Sequence, residues 1–173
     1  EVNNPIYKIS SGDITDTPLI EHAAKTGKPI IMSTGKSSLG DIDRAVQTVK
    51  KTGNNNLAIL HCVSVYPTPF EDLNLNLISS LSKTFELTSG FSDHSEGYFS
   101  TAIAVAKGAK IIEKHFTLDK SMPGPDHWFS LSPEELKELV YHVRLTEKMA
   151  GTSYKSIYSN EQRVNLRASR SIY

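Results

Sequence analysis

Two histidines stand at equivalent places in this chain. "GFSDHSEGY" (90–98) puts Ser92, Asp93 and His94 at the end of an apolar run, just before a small-residue segment. "IIEKHFTLD" (111–119) closes a second apolar run with His115, twenty-one residues after His94. That interval is one strand-plus-helix unit, so the two imidazoles are expected on adjacent strand ends facing one mouth. Two neutral imidazoles that leave positions open for water and substrate suit a catalytic divalent metal. A lone strand-end histidine reads as a core residue satisfied by a backbone carbonyl, and the matched pair is what favours ligands. His61 lies inside a strand beside Cys62 and reads as structural.

Lys8 sits within the apolar "YKISS". A buried ammonium without a partner is costly, so it must reach an anion or a carboxylate. Imine chemistry and simple snorkelling to a rim stay open, while the hydroxyls of Ser11, Ser92 and Tyr66 on other strand ends favour phosphate binding. The stiff loop "SMPGPDHWFS" (121–130) holds Asp126 beside Pro125. It reads as a loop over a mouth that closes on substrate, or else as a plain turn with a solvated carboxylate. In "YPTPFEDLNL" (66–75), Glu71 and Asp72 are expected to cap the helix that follows.

The elements that position these residues alternate regularly. Apolar runs at 6–11, 29–34, 57–65, 85–92 and 110–116 read as strands buried on both faces. Amphipathic segments at 17–26, 39–51, 74–84, 98–107 and 132–150 read as helices. The last opens with Ser132 as N-cap, Pro133 at the first position and Glu135 completing a capping box, with Leu136, Leu139, Val140 and Val143 as its apolar stripe. Gly27, Gly53 and Gly108 occupy C-cap positions. A strand every 23 to 28 residues predicts an α/β fold with a parallel sheet, either doubly wound or part of a (β/α)8 barrel. No glycine-rich dinucleotide or Walker pattern is present. Polar residues gather at the C-terminal end of nearly every strand, which favours the barrel over a sheet with one switch point.

The chain has 173 residues, with 19 Lys plus Arg balancing 19 Asp plus Glu. That size suits one domain, and the balance argues against a nucleic-acid partner. No run approaches a membrane span and no signal pattern opens the chain. The single cysteine, Cys62, has no partner for an internal disulfide, which fits a reducing cytoplasm.

"YKISSGD", "KPIIMSTG", "LHCVSVYPTPFEDLNL", "GFSDHSEG", "IIEKHFTLD" and "PGPDHWFSL" occur in the order seen in N-acetylneuraminate (sialic acid) synthases. The chain resembles that family, which includes legionaminate, pseudaminate and spore-coat polysaccharide synthases, from about Tyr7 to Gly151. The resemblance implies condensation of phosphoenolpyruvate with an N-acetylated hexosamine to a nonulosonic acid, with release of phosphate. It places a manganese or magnesium ion on His94 and His115. Phosphoenolpyruvate contacts fall on Lys8, Ser11, Ser64, Tyr66 and Ser92, and sugar-side carboxylates on Asp13 and Asp126. Asp13 stands where the family commonly has Glu, Ser64 where it often has Asn, and Lys36 where it often has an apolar residue; the shorter reach of the first two would mark a different sugar. The resemblance also implies a homodimer of the full-length protein.

Residues 1–151 are therefore expected to form the C-terminal five βα units of a TIM barrel, with 152–173 a linker toward an antifreeze-like (SAF) domain. The rival readings are another metal-dependent barrel synthase or aldolase, and a non-catalytic binding or assembly fragment. Five units cannot close an eight-stranded barrel, so the isolated chain is expected to lack activity and to hide its two strand edges against another chain. Gel filtration should show a dimer, larger oligomers or aggregate; a soluble monomer that unfolds cooperatively would overturn the partial-barrel expectation.

Overall fold

The computed structural model describes residues 4–158 together with 160 and 161. Five strands, β1 (Tyr7–Ile9), β2 (Ile30–Ser33), β3 (Leu57–Cys62), β4 (Thr88–Asp93) and β5 (Ile112–Lys114), form one sheet in sequential order. Every neighbouring pair is parallel. Helices α1 (Thr17–Ala24), α2 (Leu39–Lys51), α3 (Asn76–Phe85), α4 (Phe99–Ala106) and α5 (Pro133–Ala150) follow the strands in turn. The strand order never reverses, so there is no switch point. The fold is α/β with a curled half-barrel sheet, as the clustering of polar strand ends predicts.

Local signals set the helix ends. Ser38 and Asp41 make a reciprocal capping box on α2, and Ser132 and Glu135 make one on α5. Gly27, Gly53 and Gly108 follow α1, α2 and α4 at φ of 74°, 84° and 102°, a region costly for any side chain. One expectation fails. Glu71 and Asp72 do not cap α3: they lie in a 3-10 turn (Phe70–Asp72), and α3 begins after Leu75 with no side-chain cap. Asn74, at φ 45°, turns the chain between the two carboxylates and the helix start.

The period of two along each strand sorts side chains between helices and barrel interior. Ile9, Ile30, Met32, Leu57 and Ile59 join the core beneath α1 and α2, and Phe91 and Ile112 join a second cluster with Ile78 and Ala104. The alternate residues, Lys8, Ile31, Cys62, Ser92 and Glu113 among them, line the interior. Burial on both faces holds for β3 throughout, but β5 is only half-buried along its length. The five strands leave the interior face of the edge strands uncovered. For the same reason the stripe of α5 is uneven: it packs on α4, burying Leu139 and leaving Val140 48% exposed.

The register carries the curl. Following paired residues from Lys8 through Ile31 and Ala58 reaches Thr88. Phe91 pairs with Ile112, so the Thr88 row meets the chain at Ala109 just before β5. Yet Lys8 Nζ stands 3.5 Å from Glu113 Oε2, four residues farther along. Side chains on the first and last strands meet only because the sheet curls round as part of a barrel.

No helix among the described residues is long and apolar enough to cross a membrane. Residues 152–158 form neither helix nor strand, and most of the expected 152–173 linker lies outside the described residues.

Gly90 marks the closest approach in the sheet. A Cβ there would overlap Ile111 O and come within 2.6 Å of Leu60 Cδ2, backbone and core atoms without room to retreat. Gly90→Ala is expected to destabilise the fold by about 1–3 kcal/mol, read as a lowered denaturant midpoint; an unchanged midpoint would show that β4 and β5 yield at this point.

Candidate active site

His94 and His115 each follow the last residue of a strand, β4 and β5, on the interior face. Their ring centroids are 5.2 Å apart, edge to face. Tyr66, from the loop after β3, lies 4.2 Å from His94 and 5.8 Å from His115. His94 is buried, and its Nδ1 is 3.0 Å from Val63 O. An Nδ1–H donated to that carbonyl leaves Nε2 as the free lone pair, the tautomer a metal-ligating histidine needs. Cys62 Sγ is a more distant neighbour of the same nitrogen, at 3.9 Å.

The 121–130 loop returns onto this pair. Leu131 N donates to His115 O and Thr117 N to Leu131 O, so the loop's exit is stitched to the extension of β5. Phe129 is buried against the His115 ring at 5.2 Å, and Asp126 Oδ2 reaches within 3.6 Å of His115 Nδ1. Burial, then the neighbouring His94 charge, holds the His115 pKa below its ordinary value. Burial acts the same way on His94, but its hydrogen-bond partners Cys62 and Val63 outweigh it and the pKa is raised. The two rings therefore differ in basicity, and His115 is the one disposed to stay neutral.

Two polar groupings adjoin the imidazoles. Glu113 accepts from Ser92 Oγ at 2.6 Å while its other oxygen pairs with Lys8. Ser11 Oγ accepts from Gly35 N at 3.0 Å and lies 3.4 Å from Cys62 Sγ. A Cβ on Gly35 would overlap Ser64 Oγ and sit 2.9 Å from Ser11 Oγ, so the missing side chain leaves a cradle between three strand ends. Among the described residues Ser64 Oγ is buried there without a hydrogen-bond partner, as is Ser33 Oγ at the end of β2. Cys62 and Ser64 also border a cavity of about 660 Å³ that lies mostly on the helix side of the sheet, with Ile42, His61, Leu77 and Leu81 in its wall.

Most of the expected site residues thus converge. Lys8 meets Glu113 and Ser92; Ser11 meets the Gly35 and Ser64 cradle; His94, His115, Tyr66 and Asp126 form the third grouping. Asp13 stands apart, its carboxylate accepting from Ser10 Oγ at 2.7 Å within its own loop. His61 is structural as read: it is buried, stacked on Phe91 at 5.9 Å, and its Nε2 lies 2.6 Å from Leu73 O. Sequence reasoning gave no site role to Glu113, Cys62 or Gly35. The period of two could have found the first pair, since Glu113 precedes His115, and Cys62 precedes Ser64, by two residues on the same face.

Among the described residues no group of three or more His, Cys, Asp or Glu side chains is arranged to hold a metal ion. The donor set fits an ion held by two imidazoles that keeps its remaining positions for water and substrate. Gly35→Ala is expected to push Ser64 and Ser11 out of place and destabilise the fold by about 1–3 kcal/mol, read as a lowered melting temperature; an unchanged transition would show that the two hydroxyls yield.

The chain is 45% identical over 165 residues to the N,N'-diacetyllegionaminic acid synthase of Campylobacter jejuni, covering 94% of this chain and 49% of that protein. It is 50% identical over 172 residues to the uncharacterized protein MJ1065 of Methanocaldococcus jannaschii, covering 99% and 51%. It therefore spans about half the length of the curated relatives it matches. The N-acetylneuraminic acid (sialic acid) synthetase of Leptospira borgpetersenii, solved with citrate, superposes with a TM-score of 0.88 at 37% identity, over 98% of this chain and 60% of that one. Residues 1–155 match the NeuB family model, so the resemblance carried by the strand-end motifs is borne out and the chain belongs to the NeuB family.

Proposed function

We propose that this chain carries half of the barrel of an enzyme that condenses phosphoenolpyruvate with an N-acetylated, mannosamine-like hexosamine to a nonulosonic acid and phosphate. The observation that supports it best is the meeting of three polar groupings at one barrel mouth: the imidazole pair, the Lys8–Glu113–Ser92 chain and the Gly35 cradle.

In this reading Lys8, Ser11, Ser64, Tyr66 and Ser92 hold the phosphate and carboxylate of phosphoenolpyruvate. Charge-assisted bonds from the ammonium and short bonds from the hydroxyls orient the enol. Ser64, whose hydroxyl lacks a hydrogen-bond partner among the described residues, gains one. Glu113 keeps Lys8 and Ser92 turned inward until the anion arrives. His94 and His115 hold a manganese or magnesium ion, which when bound supplies Lewis-acid polarisation of the open-chain sugar's aldehyde. C3 of the enol forms the new bond to the aldehyde carbon, leaving cationic character at C2. Water adds at C2, and its released proton balances the one taken up by the former aldehyde oxygen. The tetrahedral centre then expels phosphate as the C2–O bond breaks. The bridging oxygen leaves with phosphorus, and the new hydroxyl at C2 loses its proton to become the ketone. Asp126, beside His115, and Asp13, on the β1–α1 loop, serve the sugar side. Asp13 reaches the sugar by exchanging its bond to Ser10 for one to substrate.

The pairing of Lys8 with a carboxylate suits anion handling rather than imine formation. The free thiol of Cys62 accords with a reducing cytoplasm, and the segment beyond residue 151 is assigned to a linker toward a further domain.

The test uses the complete enzyme supplied with phosphoenolpyruvate and N-acetylmannosamine or a related N-acetylhexosamine. One phosphate should appear per keto acid formed, and borohydride should trap no adduct on Lys8. Product without phosphate, or a trapped lysine, would move the protein to the aldolases. His94→Ala and His115→Ala should each weaken manganese binding by about tenfold or more and abolish turnover without unfolding the protein. Full activity of either variant with added manganese would refute the ligand pair.

A further inference from the structure

We propose that the buried Asp93–Lys114 ion pair is a positioning clamp that sets the separation of the two imidazoles; this rests on the two-histidine reading of the site. The two residues are the last paired positions of β4 and β5 and face each other in register. Their side chains are 0% and 4% exposed and meet at 3.0 Å. They turn toward the helices, whereas the next residue on each strand, His94 or His115, turns toward the mouth. The clamp therefore touches neither substrate nor metal; it acts through the backbone that carries the histidines, beside the field that Asp93 exerts on His94 and Lys114 on His115.

The carboxylate is held from four directions. Asp93 Oδ1 accepts from Ser95 N at 2.8 Å and Ser95 Oγ at 2.7 Å, and Oδ2 accepts from Ser100 Oγ at 2.5 Å as well as from Lys114. Lys114 Nζ also donates to Ser95 O. Ser100 belongs to the first turn of α4, so the network ties both strand ends to a helix. A buried ion pair is weak evidence for stability, because an apolar pair of the same volume often stabilises as well or better. What the charged pair adds is direction: neither strand end can slide or splay without stranding a charge. Two strand-end ligands need that constraint, because a site with few protein ligands tolerates only about 0.5 Å of misplacement.

The informative variant is the double substitution Asp93→Asn with Lys114→Met. It removes one charge of each sign, keeps the volume, and leaves an amide oxygen for Ser95 and an amide N–H that can donate to Ser100 Oγ. Manganese titration of the full chain, followed by calorimetry and by electron paramagnetic resonance, is compared with wild type, with circular dichroism confirming the fold. The folded double variant is expected to bind manganese about tenfold or more weakly, the range for groups that orient metal ligands. Binding equal to wild type would overturn the clamp and leave the histidine pair standing. Wild-type protein that takes up no manganese would overturn the histidine pair, and the clamp with it. Should the double variant not fold, Ser100→Ala keeps the ion pair but loosens its anchorage to α4. It should weaken manganese about threefold, a shift of roughly 0.65 kcal/mol, and unchanged affinity there would overturn the clamp.

Discussion

Lys8 and Glu113 belong to the two edge strands of the sheet, yet their charges stand 3.5 Å apart. In a flat sheet four inter-strand steps would separate them by roughly 19 Å. The sheet curls until its first and last strands share an interior. Every other feature of the site depends on that curl. Without it the polar strand ends would form a row along a surface; with it they surround a mouth.

The curl also divides the chemistry between the two faces of each strand. On the helix side the residues are apolar and need only volume, as Phe91 among Ile78, Ala104 and Ala109 illustrates. Where that side turns polar, at Asp93 and Lys114, the groups are paired and almost wholly buried. On the interior side a polar group must find a partner across the barrel or wait for one. Glu113 takes up Lys8 and Ser92, while the hydroxyls of Ser33 and Ser64 are buried without partners among the described residues. A buried hydroxyl without a hydrogen bond is costly, and in the proposed enzyme Ser64 recovers that cost when an anion enters the cradle.

Absence of a side chain matters as much as presence at two places. Gly90 lets β4 lie against Ile111 and Leu60, and this brings the strands carrying His94 and His115 together. Gly35 lets the hydroxyls of Ser11 and Ser64 close onto its backbone. Both glycines act through close approach, not through an unusual backbone angle. In a sequence they read only as interruptions of apolar runs.

Much of the architecture was legible because it rests on local rules. Periodicity, the capping box at Ser132 and left-handed glycines after helices depend on neighbours within a few residues. The rhythm of the runs carried the parallel sheet, and the matched positions of His94 and His115 carried the imidazole pair. Glu71 and Asp72 were misread because a carboxylate's capping role depends on where the chain turns, and Asn74 turns it between them and α3. Asp13 could be placed on the β1–α1 loop by sequence, but its bond to Ser10 could not. By itself, then, the sequence determined which residues are strand ends, which face each occupies and which family they belong to, since all three follow from spacing and residue type. Only the tertiary structure decided that Glu113 joins Lys8 to Ser92, that Gly35 leaves a cradle and that Asp93 locks onto Lys114. Those contacts join residues from different strands and their loops, and the curl that brings them within reach belongs to the whole sheet and to no single segment.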